Sequence, residues 1–205
     1  MKTLFLWIML SLVLADAALQ CNQVGEDFEF IHASGQSVFG VNTDHKVMRM
    51  CSEEWFKFSE QSMKLVKTGP SGVWGIDEHN KLYTYVGDKW LHFMDDVQQI
   101  DPRLPNMVFG IQKSEVFCVP KIPNKLSLSS HRLNIMNIEL LTCTKGTCWY
   151  LNNSRKEIYL YSYEAPCIHS NKEGQIKFKG NLKYIEANEE KQILALDTSG
   201  KVFFK

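Results

Sequence analysis

The sequence carries no surplus of charge. Its 23 lysines and arginines are matched by 23 aspartates and glutamates, so nothing electrostatic points to nucleic acid or an anionic membrane surface as a partner. Only one long apolar run occurs, Leu4 to Leu14, and it falls short of the roughly 20 residues that a helix needs to cross a bilayer. Metal-binding signatures are missing as well. The six histidines (His32, His45, His79, His92, His131 and His169) show no H-E-x-x-H or paired-ligand spacing. No glycine-rich phosphate loop is present. Asp95-Asp96 would suit acid–base work, but it lies in a strand-connecting turn where aspartate is common anyway. An even set of six cysteines argues against a free thiol nucleophile. No catalytic residue is assigned, and the sequence is not that of an enzyme.

The N-terminus has a pattern of its own. Met1-Lys2, the apolar run and the small-x-small exit Ala15-Asp16-Ala17 are the features of a secretory signal peptide. Residues 1–17 are therefore expected to be cleaved, leaving 18–205 as a single secreted domain with no integral membrane segment. Secretion agrees with cysteines paired as disulfides. It also makes the sequon Asn152-Asn153-Ser154, in an expected turn, a surface N-glycan site at Asn152.

Within the domain, one unit recurs. Gly72 to Phe93 alternates short runs of strand-forming residues with polar turns: Gly72–Ile76, then Asp77–Asn80, then Lys81–Val86, then Gly87-Asp88, then Lys89–Phe93. Asp, Asn and Gly stand where hairpins need residues that tolerate positive φ. With Trp74 as anchor, counterparts are Phe39 and Phe109, each 35 residues away, then Trp149 and Leu194 at intervals of 40 and 45. Glycine follows three of the five anchors (Gly40, Gly75, Gly110). Nine residues before each anchor stands Phe30, Leu65, Ile100, Leu140 or Ile185. A period of this length with four strands per unit is the signature of a β-propeller. The fold class is thus all-β, a five-bladed propeller of four-stranded blades, with repeats near 28–62, 63–96, 97–137, 138–181 and 182–205. The fifth repeat lacks an outer strand, and residues 19–24 are expected to supply it and close the ring. Two stretches fit poorly: 120–137, where Lys125–Ser129 is the expected outer strand, and Tyr163–Gly174, which resembles an insertion before an outer strand at Gln175–Lys179.

The elements Gly72-Val-Trp-Gly-Ile-Asp77, Lys81-Leu-Tyr83, Trp90 and Asp96-Val-Gln-Gln-Ile100 resemble the tectonin repeat, and the secreted form is similar to the fish-egg lectins. The resemblance is strongest over 28–118 and fades across 120–180. It implies carbohydrate binding in crevices between blades, with N-acetylglucosamine, galactose-type sugars or bacterial surface polysaccharide as partners, a calcium ion in the central tunnel, and a homodimer. The chain is about one blade shorter than those lectins.

Sugar recognition needs an aromatic face for the apolar side of a pyranose and carboxylates or amides for its hydroxyls. The candidates are Trp74 and Trp90 as platforms, with Trp55 and Trp149 beside them, and Asn42, Asp44, Asp77, Glu78 and Asp197 on one rim. Each has an alternative structural role: an anchor tryptophan can pack between blades, and a turn-opening Asp or Asn can cap its own turn. Three disulfides are expected: Cys143–Cys148 across a hairpin, Cys21–Cys51 tying the closing strand to the first blade, and Cys118–Cys167 linking neighbouring blades. A propeller that has lost sugar binding and serves as a protein-interaction scaffold is the alternative function.

Overall fold

The structure, a computed structural model, describes residues 27–120, 129–144, 146–165, 167–188, 190 and 192–205. These residues form 19 strands and no helix. The strands group into five antiparallel meanders arranged as a five-bladed β-propeller. The first blade is β1 (Phe28–Ser34), β2 (Ser37–Asn42), β3 (Val47–Cys51) and β4 (Glu54–Lys57). The second is β5 (Leu65–Gly69), β6 (Gly72–Ile76), β7 (Leu82–Val86) and β8 (Lys89–Met94). The third is β9 (Val97–Asp101), β10 (Met107–Gln112), β11 (Glu115–Pro120) and β12 (His131–Met136). The fourth is β13 (Ile138–Thr144), β14 (Thr147–Asn152), β15 (Glu157–Ala165) and β16 (Ile168–Lys177). The fifth has three described strands, β17 (Leu182–Ala187), β18 (Ile193–Asp197) and β19 (Val202–Phe204).

In the third blade the described outer strand is His131–Met136, where charged Glu115 and Arg132 pair across β11 and β12; Lys125–Leu128 of the expected Lys125–Ser129 strand lie outside the described residues. In the fourth blade, Tyr163–Gly174 is not an insertion but part of an extended β15–β16 hairpin. Residues 1–26 lie outside the described set. The signal peptide and the closing strand at 19–24 therefore fall beyond it, as does Cys21 with its pairing to Cys51.

Blades stack through four apolar layers, one at each junction from the first blade to the fifth. Phe39, Val41 and Val47 meet Met63 and Val66. Trp74, Ile76 and Leu82 meet Val97, Ile100 and Val108. Phe109, Ile111 and Val116 meet Ile138, Leu141 and Tyr150. Trp149, Leu151 and Ile158 meet Leu182, Ile185 and Ile193. Because the second strand of each of the first four blades is covered on both faces, its residues need not alternate: β10 is buried from Val108 to Ile111. On the fifth blade, Leu194, Val202 and Phe204 are exposed.

A backbone bond repeats at the same four junctions. The residue three places after the turn-opening Asx sits in the left-handed region, as His45 (φ 60), Asn80 (φ 62) and Arg155 (φ 58) do. Its carbonyl accepts the first N–H of the next blade: Met63 to His45 at 3.0 Å, Val97 to Asn80 at 2.8 Å and Leu182 to Arg155 at 2.7 Å. In the third blade a two-residue turn replaces the longer one, and Ser114 (φ 61) accepts from Ile138 at 3.0 Å.

Two disulfides are present among the described residues. Cys143–Cys148 joins directly paired residues of the β13–β14 hairpin, and Cys118–Cys167 staples the third blade to the fourth across a sequence separation of 49. Cys51 is exposed and has no disulfide partner among the described residues.

The glycine after the anchor is a packing requirement. A Cβ on Gly110 would lie 2.3 Å from Phe117 Cζ and 2.7 Å from the Gln99 carbonyl oxygen. Gly110→Ala is expected to destabilise the fold by about 1–3 kcal/mol, measured as a lower urea midpoint with an unchanged slope.

Candidate functional site

The rim candidates share one end of the ring, where the β2–β3 turn of each blade lies, but most of their oxygens are occupied. Asn42 Oδ1 accepts from the N–H groups of Asp44 (3.1 Å) and Lys46 (2.9 Å). Asp77 Oδ1 accepts from His79 (2.9 Å) and Lys81 (2.8 Å), and its Oδ2 takes the Tyr83 hydroxyl at 3.2 Å. Asp197 Oδ1 accepts from Ser199 (2.8 Å) and Lys201 (2.9 Å). The Ser199 hydroxyl and these N–H groups hold its carboxyl below the usual aspartate range. These are turn caps. Asp44 is exposed and pairs with Lys46 at 3.2 Å, while Glu78 pairs with His45 of the preceding blade at 3.2 Å. They do not converge on one site.

Asn152 caps its turn in the same way. Its Oδ1 accepts from the Ser154 hydroxyl at 2.7 Å, and its Nδ2 donates to Glu157 at 3.1 Å. A glycan on Nδ2 would take one hydrogen from that donor, so the sequon sits at an ordered polar contact.

The tryptophans divide. Trp74 is 4% exposed, donates its indole N–H to Ser71 O at 3.1 Å and packs on Phe93; with both faces covered it is an interblade wedge and presents no platform. Trp149 is 6% exposed within the layer between the fourth and fifth blades. Trp90 is different. It stands half-buried on β8 and donates to Ser59 Oγ at 2.9 Å. Tyr85 lies opposite it across the β7–β8 hairpin, ring centroids 5.1 Å apart, and Phe58 of the first blade's exit segment packs on Tyr85 at 4.4 Å. Gly75 makes room, since a Cβ there would meet Met63 Sδ at 2.9 Å and Trp90 Cη2 at 3.2 Å.

The outcome is a crevice between the first and second blades. Phe58, Tyr85 and Trp90 form an aromatic wall; Ser59, Gln61 and the Tyr83–Asp77 pair supply polar groups along it. Trp90 and Asp77 were legible from the repeat. Phe58, Ser59 and Tyr85 were missed, although the Gly87-Asp88 turn already placed Tyr85 opposite Trp90.

A second polar centre, in the tunnel, left no mark in the residue pattern. Asp101 is fully buried; its carboxylate takes Arg103 Nε at 3.0 Å, Arg103 Nη2 at 2.5 Å and the Cys143 N–H at 3.0 Å. Arg103 also donates to Glu186 and Thr142, and to Ala187 O at 3.3 Å, so it ties the third, fourth and fifth blades together. Burial pushes the Asp101 carboxyl up, but the Arg103 bonds and charge, Lys67 and the Cys143 N–H outweigh it and hold the carboxyl below its ordinary value. Lys67 lines the same tunnel. A hard divalent cation takes 6–8 oxygens; an ammonium and a guanidinium in the lining, with both acids already engaged by Arg103, do not fit calcium, and no metal-holding group of three His, Cys, Asp or Glu occurs among the described residues.

Comparison with known proteins places these features. The family model of the Tectonin domain matches residues 28–205. No curated protein matches the chain in sequence. Among solved structures, the fold is similar to human WBSCR16 (TM-score 0.60, 10% identity, 82% of this chain and 58% of that one). It is also similar to Prp20p from Saccharomyces cerevisiae (0.63, 6%, 85% and 56%) and to Kluyveromyces lactis Hsv2 (0.62, 4%, 89% and 62%). The chain thus spans under two thirds of each, and at such identities the likeness is one of fold.

Asp101→Asn is expected to destabilise the protein by about 3 kcal/mol, because it breaks a buried ion pair. Since the folded carboxyl lies below its unfolded value, its stabilisation is present above about pH 4 and lost as pH falls through the folded pKa. Chemical denaturation as a function of pH should therefore show the variant less acid-sensitive than the parent.

Proposed function

The chain belongs to the tectonin family, and on that premise we propose that it is a secreted lectin of the fish-egg type. It would bind N-acetylglucosamine, galactose-type sugars or bacterial surface glycans in innate defence, without catalysis. The observation that carries this reading is the half-buried Tyr85–Trp90 pair in the crevice between the first two blades. An aromatic ring with one accessible side offers the apolar face of a pyranose a surface, while Ser59, Gln61 and Tyr83 supply hydroxyl and amide partners beside it. In this reading Trp90 is the platform, and Asp77 acts through Tyr83 rather than by direct contact. Trp74, Asn42 and Asp197 hold blades and turns in place. Repeated crevices on a rigid ring would add avidity to weak single contacts.

A protein-interaction scaffold is the second reading. It is favoured by the exposed Leu194, Val202 and Phe204 on the fifth blade; one of the similar propellers, Prp20p, is described by its binding to Gsp1p and histones.

Passage over plain agarose and N-acetylglucosamine resins separates the two. The lectin reading predicts retention, elution by the free sugar, and binding weakened about tenfold by Trp90→Ala, as expected for loss of roughly 1.4 kcal/mol of aromatic contact. Trp74→Phe should lower stability and leave binding alone. Flow-through from both resins, repeated with bacterial polysaccharide, would favour the scaffold.

A further inference from the structure

The tunnel holds hydrogen-bond donors that the fold does not use. His32 and Lys67 stand at the same point of the repeat, opposite Phe39 and Trp74 across their hairpins. Both line a cavity of about 280 Å³ enclosed by the five innermost strands. Lys67 has no hydrogen bond or ion pair among the described residues. Burial disfavours its ammonium form; Asp101 and Glu186 oppose this, Arg103 adds to it, and the net direction is down. His32 Nδ1 accepts the Thr68 N–H at 3.2 Å. Burial and the Lys67 charge lower its pKa to about 4, so near neutral pH the ring is uncharged and its proton lies on Nε2. That N–H has no acceptor among the described residues.

Nearby acceptors are spoken for. Asp101 is held by Arg103 and Cys143, and Glu186 by Arg103 and the Tyr184 hydroxyl at 2.7 Å. Gln99 turns both ends of its amide to the Leu141 backbone, at 2.8 and 2.9 Å. At the end of the ring that carries the β1–β2 turns lies a second cavity, a funnel of about 740 Å³, within the size range of ligand pockets; its Thr68 follows Lys67 in the chain and its Arg103 bonds Glu186 of the inner cavity. Its polar lining is Ser34, Ser37, Thr68, Arg103, Thr144 and Asn188. Among the described residues no carboxylate lines the funnel, which offers hydroxyls and one guanidinium; the inner cavity has two, Glu186 and Glu139, engaged by Arg103 and Arg155 respectively.

We propose that the tunnel is an oxyanion site, in which Lys67 Nζ and His32 Nε2–H hold a phosphate or carboxylate that enters through this funnel. Free phosphate and the acidic end of a glycan chain share this chemistry. The site is separate from the aromatic crevice and stands or falls without it.

Thermal unfolding of the secreted protein at constant ionic strength tests the assignment, with inorganic phosphate, galacturonate and galactose as probes. Phosphate or galacturonate should raise Tm in a dose-dependent way. Galactose, which the crevice of the lectin reading would also take, should act equally on the parent and on Lys67→Met, whereas this variant should abolish the rise with phosphate and the excess of galacturonate over galactose. A rise with phosphate alone identifies a free anion, and a larger rise with galacturonate identifies a glycan end. No rise with phosphate together with none from galacturonate beyond that from galactose, or a phosphate rise retained in Lys67→Met, overturns the proposal. Should Lys67→Met fail to fold, acetylation of the parent protein read by mass spectrometry decides. Phosphate should slow labelling of Lys67 several-fold relative to exposed Lys201, and equal labelling contradicts the site. Retention on the sugar resins is indifferent to either result.

Discussion

The ring depends on a hydrogen bond from the opening N–H of one blade to the carbonyl of a left-handed turn residue in the blade before it. His45, Asn80, Ser114 and Arg155 all play that part. The energetics show what the bond is for. A hydrogen bond of this kind contributes about 1 kcal/mol net, and placing a non-glycine residue in the left-handed region costs roughly the same. The two offset each other, so the device adds little stability. It sets direction: the turn aims one carbonyl at one incoming strand, and the blade-to-blade pitch follows. The favourable energy comes from the four apolar layers, at about 25 cal/mol per Å² of apolar surface buried.

This constraint explains why so many conspicuous residues are unavailable to a ligand. An Asx side chain that must accept two backbone N–H groups to hold the turn has little left for a sugar hydroxyl. An anchor residue that must fill the layer between blades cannot also present a face to solvent. Ligand chemistry is left to places the repeat does not over-determine. One is the crevice beside Trp90, on an outer strand that only partly packs. The other is the tunnel, where the residues opposite the anchors Phe39 and Trp74 are His32 and Lys67, while their counterparts in the third, fourth and fifth blades are Asp101, Thr142 and Glu186, all engaged with Arg103.

The blades were legible because periodic burial leaves periodic apolar residues: Phe39, Trp74, Phe109 and Trp149 occupy like places for like reasons. The outer strand of the third blade was not, since an outer strand packs on one side only, and that of the fourth was legible only at its end, Gln175–Lys177. Arg132 and Glu115 are held by charge, and the β15–β16 hairpin runs on with polar residues that match no template. Cys143–Cys148 and Cys118–Cys167 could be inferred from which strands lie adjacent. The tunnel network was invisible because Asp101, Arg103 and Glu186 are far apart in sequence or look like ordinary turn charges. Only closing the ring shows that they meet. The aromatic crevice was half legible: Trp90 repeats, whereas Phe58 belongs to a connection between blades.

The account rests most on which tryptophan faces the ligand. Labelling the indole nitrogens of the secreted protein with ¹⁵N (Trp55, Trp74, Trp90 and Trp149 once residues 1–17 are removed) and titrating N-acetylglucosamine oligomers resolves them, with Trp90 assigned by its loss in Trp90→Phe. The account predicts that the Trp90 indole signal moves on addition of sugar while those of Trp74 and Trp149 stay in place. Movement of Trp74 with Trp90 unmoved, or saturation with no indole moving, would contradict it.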